Sequence, residues 1–158
     1  MAQTKHTFGT PALGTSYRER ASAHIVVLRD GALAVIQATD GYKLPGGEIA
    51  DGEPHEQAIW RHCLQTLGYD VRVDDWITSS DTWTTIAGEP CHLTQAYYLG
   101  ELLDPLLEDA DSRLLWLALD RADTLLCPAD LAAVRCHLNR ETTAAALAFI
   151  DGKHEFYG

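Results

Sequence analysis

The sequence predicts an α/β (α+β) protein in which a mixed β-sheet is sandwiched between α-helices. Three observations carry this prediction. Short β-branched runs are punctuated by Asp30-Gly31 and Asp40-Gly41, pairs that suit tight hairpin turns because they tolerate φ > 0. One amphipathic stretch, Pro54 to Leu67, carries apolar residues at spacings of three and four. A second helical stretch follows all the strands, so the order lacks the regular strand–helix alternation of a doubly wound sheet.

The elements follow in chain order. Residues 1 to 20 carry Gly9, Pro11 and Gly14 among polar residues and read as an irregular lead-in. Ala23 to Leu28 is a β-branched apolar strand, and Leu33 to Gln37 is its return after Asp30-Gly31. Tyr42 to Leu44 is a short third segment, and Pro45-Gly46-Gly47 ends the pattern. Asp51-Gly52-Glu53-Pro54 opens a helix, with proline tolerated in the first turn where its missing N–H has no partner. That helix stops at Gly68, a residue suited to the left-handed position after a helix. Ile59, Cys63 and Leu67, with Trp60 and Leu64, form its core stripe. Val71 to Ile86 and Cys91 to Leu102 are partner strands broken at residues 87 to 90, and Leu114 to Leu119 is a further strand. Pro128 starts a second helix with Leu131, Val134 and Leu138 on one face, and an alanine-rich helical stretch runs from Thr142 to Ile150.

The chain of 158 residues is long enough for one domain, 1–158, with its own core. The net charge of -11 and the lack of a basic stripe argue against a nucleic acid polymer as partner. No apolar run approaches the ~20 residues that cross a bilayer, and no apolar stretch follows Met1 to His6 as a secretory signal would require. A soluble, cytoplasmic protein with reduced thiols is the expectation, without a membrane partner. His62-Cys63, Cys91-His92 and Cys136-His137 resemble fragments of a zinc site, but adjacent side chains diverge on helix and strand alike, so no single pair chelates.

The chemistry is concentrated in Leu44-Pro45-Gly46-Gly47-Glu48-Ile49-Ala50-Asp51-Gly52-Glu53-Pro54, continuing to Gly68. This segment, residues 45–68, resembles the Nudix box, in which Gly, Glu, Arg and a final Gly recur at fixed spacing around three helix-borne glutamate positions. Gly47, Glu53, Arg61 and Gly68 fall on that spacing without insertion, and Leu115 to Asp120 also resembles the family. The likeness spans about residues 22 to 138. It implies the Nudix fold and hydrolysis of a nucleoside diphosphate linked to another moiety, with Mg²⁺ or Mn²⁺. It also implies that a carbonyl of the Gly46-Gly47 turn reaches the metal, and that Glu53 and Arg61 pair to hold the box together.

The sequence departs where the family keeps its metal-facing carboxylates. His62 replaces the glutamate after the arginine, and Gln65 and Thr66 replace the glutamate pair. Spaced i, i+3, i+4, these three share one helix face. An imidazole, an amide and a hydroxyl there are poor ligands for a hard divalent ion. Carboxylates that could compensate are Glu48, Asp51 and Glu56 near the helix start, and Glu108 or Asp111 from a late loop. Three readings follow. The first is a pocket that keeps a nucleotide or phosphorylated small molecule and has lost metal-dependent hydrolysis, with a weak metal site or none. The second is an atypical hydrolase using His62 and loop carboxylates. The third is a ligand-free interaction module, with Ala144 to Ile150 as a candidate homodimer contact.

Overall fold

A computed structural model describes residues 5–157, and side-chain surroundings are described for these except at 111–112 and 143–157. The strands are β1 (Lys5–Phe8), β2 (Arg18–Val26), β3 (Leu28–Arg29), β4 (Ala32–Ala38), β5 (Gly41–Lys43), β6 (Gly46–Glu48), β7 (Tyr69–Ile86), β8 (Glu89–Pro105) and β9 (Leu115–Ala118). The helices are α1 (His55–Thr66), α2 (Ala110–Arg113) and α3 (Pro128–Tyr157), with a 3-10 helix at Leu119–Thr124.

The main sheet runs β1-β7-β8-β2-β6 and a smaller one joins β3, β4, β5 and β9. β1 lies parallel to β7 and β2 parallel to β8, whereas β7–β8 and β2–β6 are antiparallel, so the sheet is mixed as the hairpin-rich sequence implies. Asp30 and Gly31 take φ of 53° and 76°, and Ala87 and Gly88 take 51° and 81°. Both pairs satisfy the two positive dihedrals of a tight hairpin. The second turn is two residues long, and β8 begins at Glu89 and includes Pro90, where the sequence reading had a break.

The strand faces divide two cores. Ala23, Ile25 and Val27 pack with Ile59 and Cys63 of α1 and with Leu67 at its end. Val26 and Tyr97 turn to the opposite face, where Leu33, Val35, Leu117 and α3 residues Ala133 and Val134 close the second cluster. Burying a side chain such as Ile59, fully inaccessible here, contributes roughly 2 kcal/mol. The sheets therefore lie between α1 and α3.

Four expectations need correction. The lead-in is not irregular throughout, because residues 5–8 pair with Ser79 to Thr82 and β2 starts at Arg18. Gly46 to Glu48, read as the end of the strand pattern, forms an edge strand on β2. Trp60 is no core residue: it is 40% exposed, and its indole N–H donates to Asp70 Oδ1 at 2.8 Å. The two C-terminal helical stretches are one helix, α3, while the dimer contact proposed for Ala144 to Ile150 lies outside the described side chains. No described helix is long and apolar enough to cross a membrane. Cys63, Cys91 and Cys136 lie on α1, β8 and α3 respectively, all four cysteines are free thiols, and among the described residues no three metal-ligating side chains gather.

Candidate functional site

A pocket of about 430 Å³ opens between the β6 edge of the main sheet and the start of α3. Alternate residues of β2, Arg20, Ser22 and His24, line it from one strand, as the period of two along a strand requires. β8 supplies Leu93 and Gln95, β5 and the residue after it supply Lys43 and Leu44, Cys127 comes from just before α3 and Asp130 from its first turn. Gly46, Gly47, Glu48 and Thr66 form the end nearest α1. That size accommodates a small organic ligand.

The turn at the α1 end depends on its glycines. Gly46 has φ 130°, and a Cβ there would fall on the carbonyl of Ala23. A Cβ on Gly47 would come within 2.6 to 2.8 Å of three ring atoms of His62, so the imidazole lies directly over the Gly47 backbone. His62 Nε2 stands 2.8 Å from the carbonyl oxygen of Glu48. Facing an acceptor that has only lone pairs, this nitrogen carries the proton and donates. Arg61 Nη2 donates to the same carbonyl at 3.1 Å.

Arg61 also grips Glu53 through Nε at 2.9 Å and Nη2 at 2.8 Å. The carboxylate is only 8% exposed, and its Oε1 accepts from the Ala50 N–H at 3.1 Å. The Arg61 hydrogen bonds, helped by that of Ala50, pull the Glu53 carboxyl down to about 2. The pairing implied by the box is thus present, and it ties the loop to the helix eight residues on.

The rest of the box helix offers little to a cation. Gln65 is exposed, and its carbonyl accepts from Arg113 Nη1 at 2.9 Å. The Thr66 hydroxyl donates back to the His62 carbonyl at 2.7 Å, a bond to the preceding turn that uses its proton locally. Among the described residues Glu48 is the one carboxylate at this end of the pocket, and Arg20 Nη2 holds its Oε2 at 2.6 Å. That hydrogen bond holds the Glu48 carboxyl below the usual range. Glu108 lies elsewhere, lining a hollow with Pro105, Leu106, Leu107 and Ala110, so it does not supply the pocket with a carboxylate. The Asp111 side chain lies outside the described residues, and Asp51 and Glu56 are exposed and do not line the pocket. Mg²⁺ or Mn²⁺ wants about six hard oxygens at close to octahedral geometry, and the described residues around this turn do not fit either ion.

The α3 end is built differently. Asp130 is 3% exposed, accepts from the Tyr97 hydroxyl at 2.6 Å and from the Leu44 N–H at 3.0 Å. Burial first, and then the Asp130 charge, push the Tyr97 hydroxyl well above its ordinary value, so it stays protonated and donates. Gln95 accepts from the Thr82 hydroxyl at 2.7 Å and donates to Cys127 Sγ at 3.5 Å. Burial, and secondarily Asp130, raise the Cys127 thiol. His24 stacks on Tyr97 with ring centroids 5.2 Å apart and lies 2.9 Å from the Ser22 hydroxyl. Burial lowers its pKa, with His62 and Lys43 pushing the same way against Asp130. Lys43 is exposed and forms no ion pair among the described residues.

The sequence-predicted residues Gly46, Gly47, Glu48, Glu53, Arg61, His62 and Thr66 therefore meet around one turn, while Gln65 points outward and Glu108 stands apart. Sequence reasoning missed Arg20, His24, Lys43, Gln95, Cys127 and Asp130. A signal existed for two of them: Arg20, Ser22 and His24 alternate with apolar Ala21, Ala23 and Ile25, the pattern of a strand with one polar face. Gln95 and Asp130 reach the pocket only through long-range packing.

Comparison with solved structures places the architecture. The chain is similar to a NUDIX hydrolase from Nitrosomonas europaea (17% identity over 77% of this chain and 90% of that one, TM-score 0.60). It is similar also to a MutT NUDIX hydrolase from Burkholderia pseudomallei (25% identity, 75% and 95% coverage, TM-score 0.54). A UDP-X diphosphatase matches with 14% identity, 80% and 66% coverage and a TM-score of 0.62. No family model and no curated protein matches the sequence. These likenesses show the fold, and the chain has the Nudix fold.

Proposed function

We propose that this protein binds a nucleotide or another phosphorylated small molecule in the 430 Å³ pocket and has lost, or very nearly lost, metal-dependent hydrolysis of it. The observation that carries the reading is the contrast within that pocket. It keeps an exposed cation for a phosphate at Lys43, with Gln95 and Asp130 holding the adjoining wall through their own protein partners, while the helix face at 62, 65 and 66 presents no carboxylate. The Lys43 ammonium, unpaired among the described residues, is available to a phosphate. Without metal-held positive charge, the leaving phosphate and the attacking water lack the largest electrostatic stabilisation of such a reaction. Fewer carboxylates also repel a phosphate less, which favours binding without turnover.

The test is titration calorimetry with nucleoside mono- and diphosphates and UDP-linked sugars, in Mg²⁺ and in EDTA, alongside a phosphate-release assay. The expected result is binding that agrees within about twofold in the two buffers, under ~0.5 kcal/mol, with no release. Affinity that disappears in EDTA, or strong Mg²⁺-driven cleavage by the unmodified protein, overturns the reading. The atypical hydrolase using His62 has less support. The His62 Nε2 proton is committed to the Glu48 carbonyl, and Glu108 lies outside the pocket. Release that is abolished by His62→Ala would favour it.

A further inference from the structure

We infer that His62 is a plug, so that the cation seat of the box is filled by protein as well as being short of carboxylates. This deepens the reading above and rests on its placement of the site at the Gly46-Gly47-Glu48 turn. Two separate observations support it.

The first is space. The imidazole lies against the Gly47 backbone so closely that even a methyl group on Gly47 would come within 2.6 to 2.8 Å of three ring atoms. An ion approaching the turn from the helix side meets the ring first.

The second is lone pairs. A backbone carbonyl oxygen offers two, and at Glu48 one takes the His62 Nε2–H at 2.8 Å and the other takes Arg61 Nη2 at 3.1 Å. The Glu48 carboxylate is held in turn by Arg20 at 2.6 Å. Entry of a divalent ion that used the Glu48 carbonyl or carboxylate would require displacing a protein donor from each, and Mg²⁺ also gives up its own water reluctantly. The protein thus satisfies, with donors from its own side chains, the Glu48 oxygens that an ion would otherwise bind.

The plug makes a prediction that missing carboxylates alone do not. The variant Gln65→Glu/Thr66→Glu places two carboxylates on the helix face with His62 retained. The variant His62→Ala/Gln65→Glu/Thr66→Glu has the same two carboxylates with the seat opened. Mn²⁺ binding is read by electron paramagnetic resonance, and circular dichroism checks that each variant is folded. The expected result is that the double variant binds Mn²⁺ no better than the unmodified protein, whereas the triple variant binds at least about tenfold tighter. His62→Ser in the same background provides a second opening should the alanine variant fold poorly. Equal Mn²⁺ affinity with and without His62, or no gain in either folded opened variant, overturns the plug. Nucleotide binding by the unmodified protein in EDTA is measured separately, so the plug and the binding function fail independently.

Discussion

The two ends of the pocket are built on opposite principles. At the α3 end, Asp130 is buried and bonded on both oxygens, to Tyr97 and to the Leu44 backbone. Removing such a group strands partners that water cannot reach. At the α1 end, Arg20 and Glu48 are respectively 32% and 53% exposed in their side chains, and Gln65 faces solvent. Replacing groups of that kind costs the fold little. The difference explains how a box helix can change its chemistry and keep its shape: the residues that faced a cation in the resembled motif are not those that hold the structure. Glu53 and Arg61 are the exception at this end, and they are the pair that has been kept.

Substitutions can break or sharpen this contrast, and the largest effect belongs to the α3 end. Asp130→Ala removes two hydrogen bonds to a charged acceptor, and urea denaturation should show a loss of about 3–5 kcal/mol. A loss below 1 kcal/mol in that variant would erase the distinction between the two ends. Arg61→Ala comes next. It leaves the nearly inaccessible Glu53 carboxylate without its main partner, and thermal melting should fall clearly, though less than for Asp130→Ala because the Arg61 side chain is 35% exposed and solvent screens the pair.

The same pair gives a pH test. Glu53 is depressed from an ordinary 4.5 to about 2 in the folded state, chiefly by its hydrogen bonds with Arg61. Its contribution is therefore fully present above the ordinary carboxylate range and is lost as pH falls through about 2. The stability gap between the unmodified protein and Glu53→Gln should be widest near neutral pH and should shrink steadily under acid. A gap that is constant from pH 6 to pH 2.5 would show that the charge is not what matters. His62→Ala should cost only about 1 kcal/mol, for one partly exposed hydrogen bond. Gln65→Ala should stay within about 0.5 kcal/mol of the unmodified protein, the smallest effect of the series.

What the sequence disclosed and what it hid divide along the same physical line. Local signals were legible. The two positive dihedrals at Asp30-Gly31, the stripe of Ile59, Cys63 and Leu67 facing one core, and the helix end at Gly68, whose N–H closes onto Cys63 and Leu64 carbonyls, each depend on neighbours within a few positions. The Glu53–Arg61 pair was also foreseen, because the resembled spacing carries it. Non-local pairing was not legible. Lys5 to Phe8 become a strand only because β7 offers an edge, and Gly46 to Glu48 become one only against β2. Trp60 fits the helical stripe by spacing yet finds Asp70 at the surface. Asp130 reads as an ordinary acidic residue in a first helical turn, and only the fold brings Leu44, 86 positions away, to its carboxylate.

The order of strands also bears on how the chain reaches this state. β7 and β8 are consecutive and joined by a two-residue turn, so their ladder can zip from Ala87-Gly88 without closing a large loop. β2 lies parallel to β8, with Glu19 beside His92 across 73 intervening steps of chain. That pairing closes a much longer loop than the β7–β8 turn does and bears the larger loop-closure entropy. The pocket, whose floor is these two strands side by side, is accordingly expected to form after the β7–β8 hairpin, an order that pulse-labelling hydrogen exchange would check.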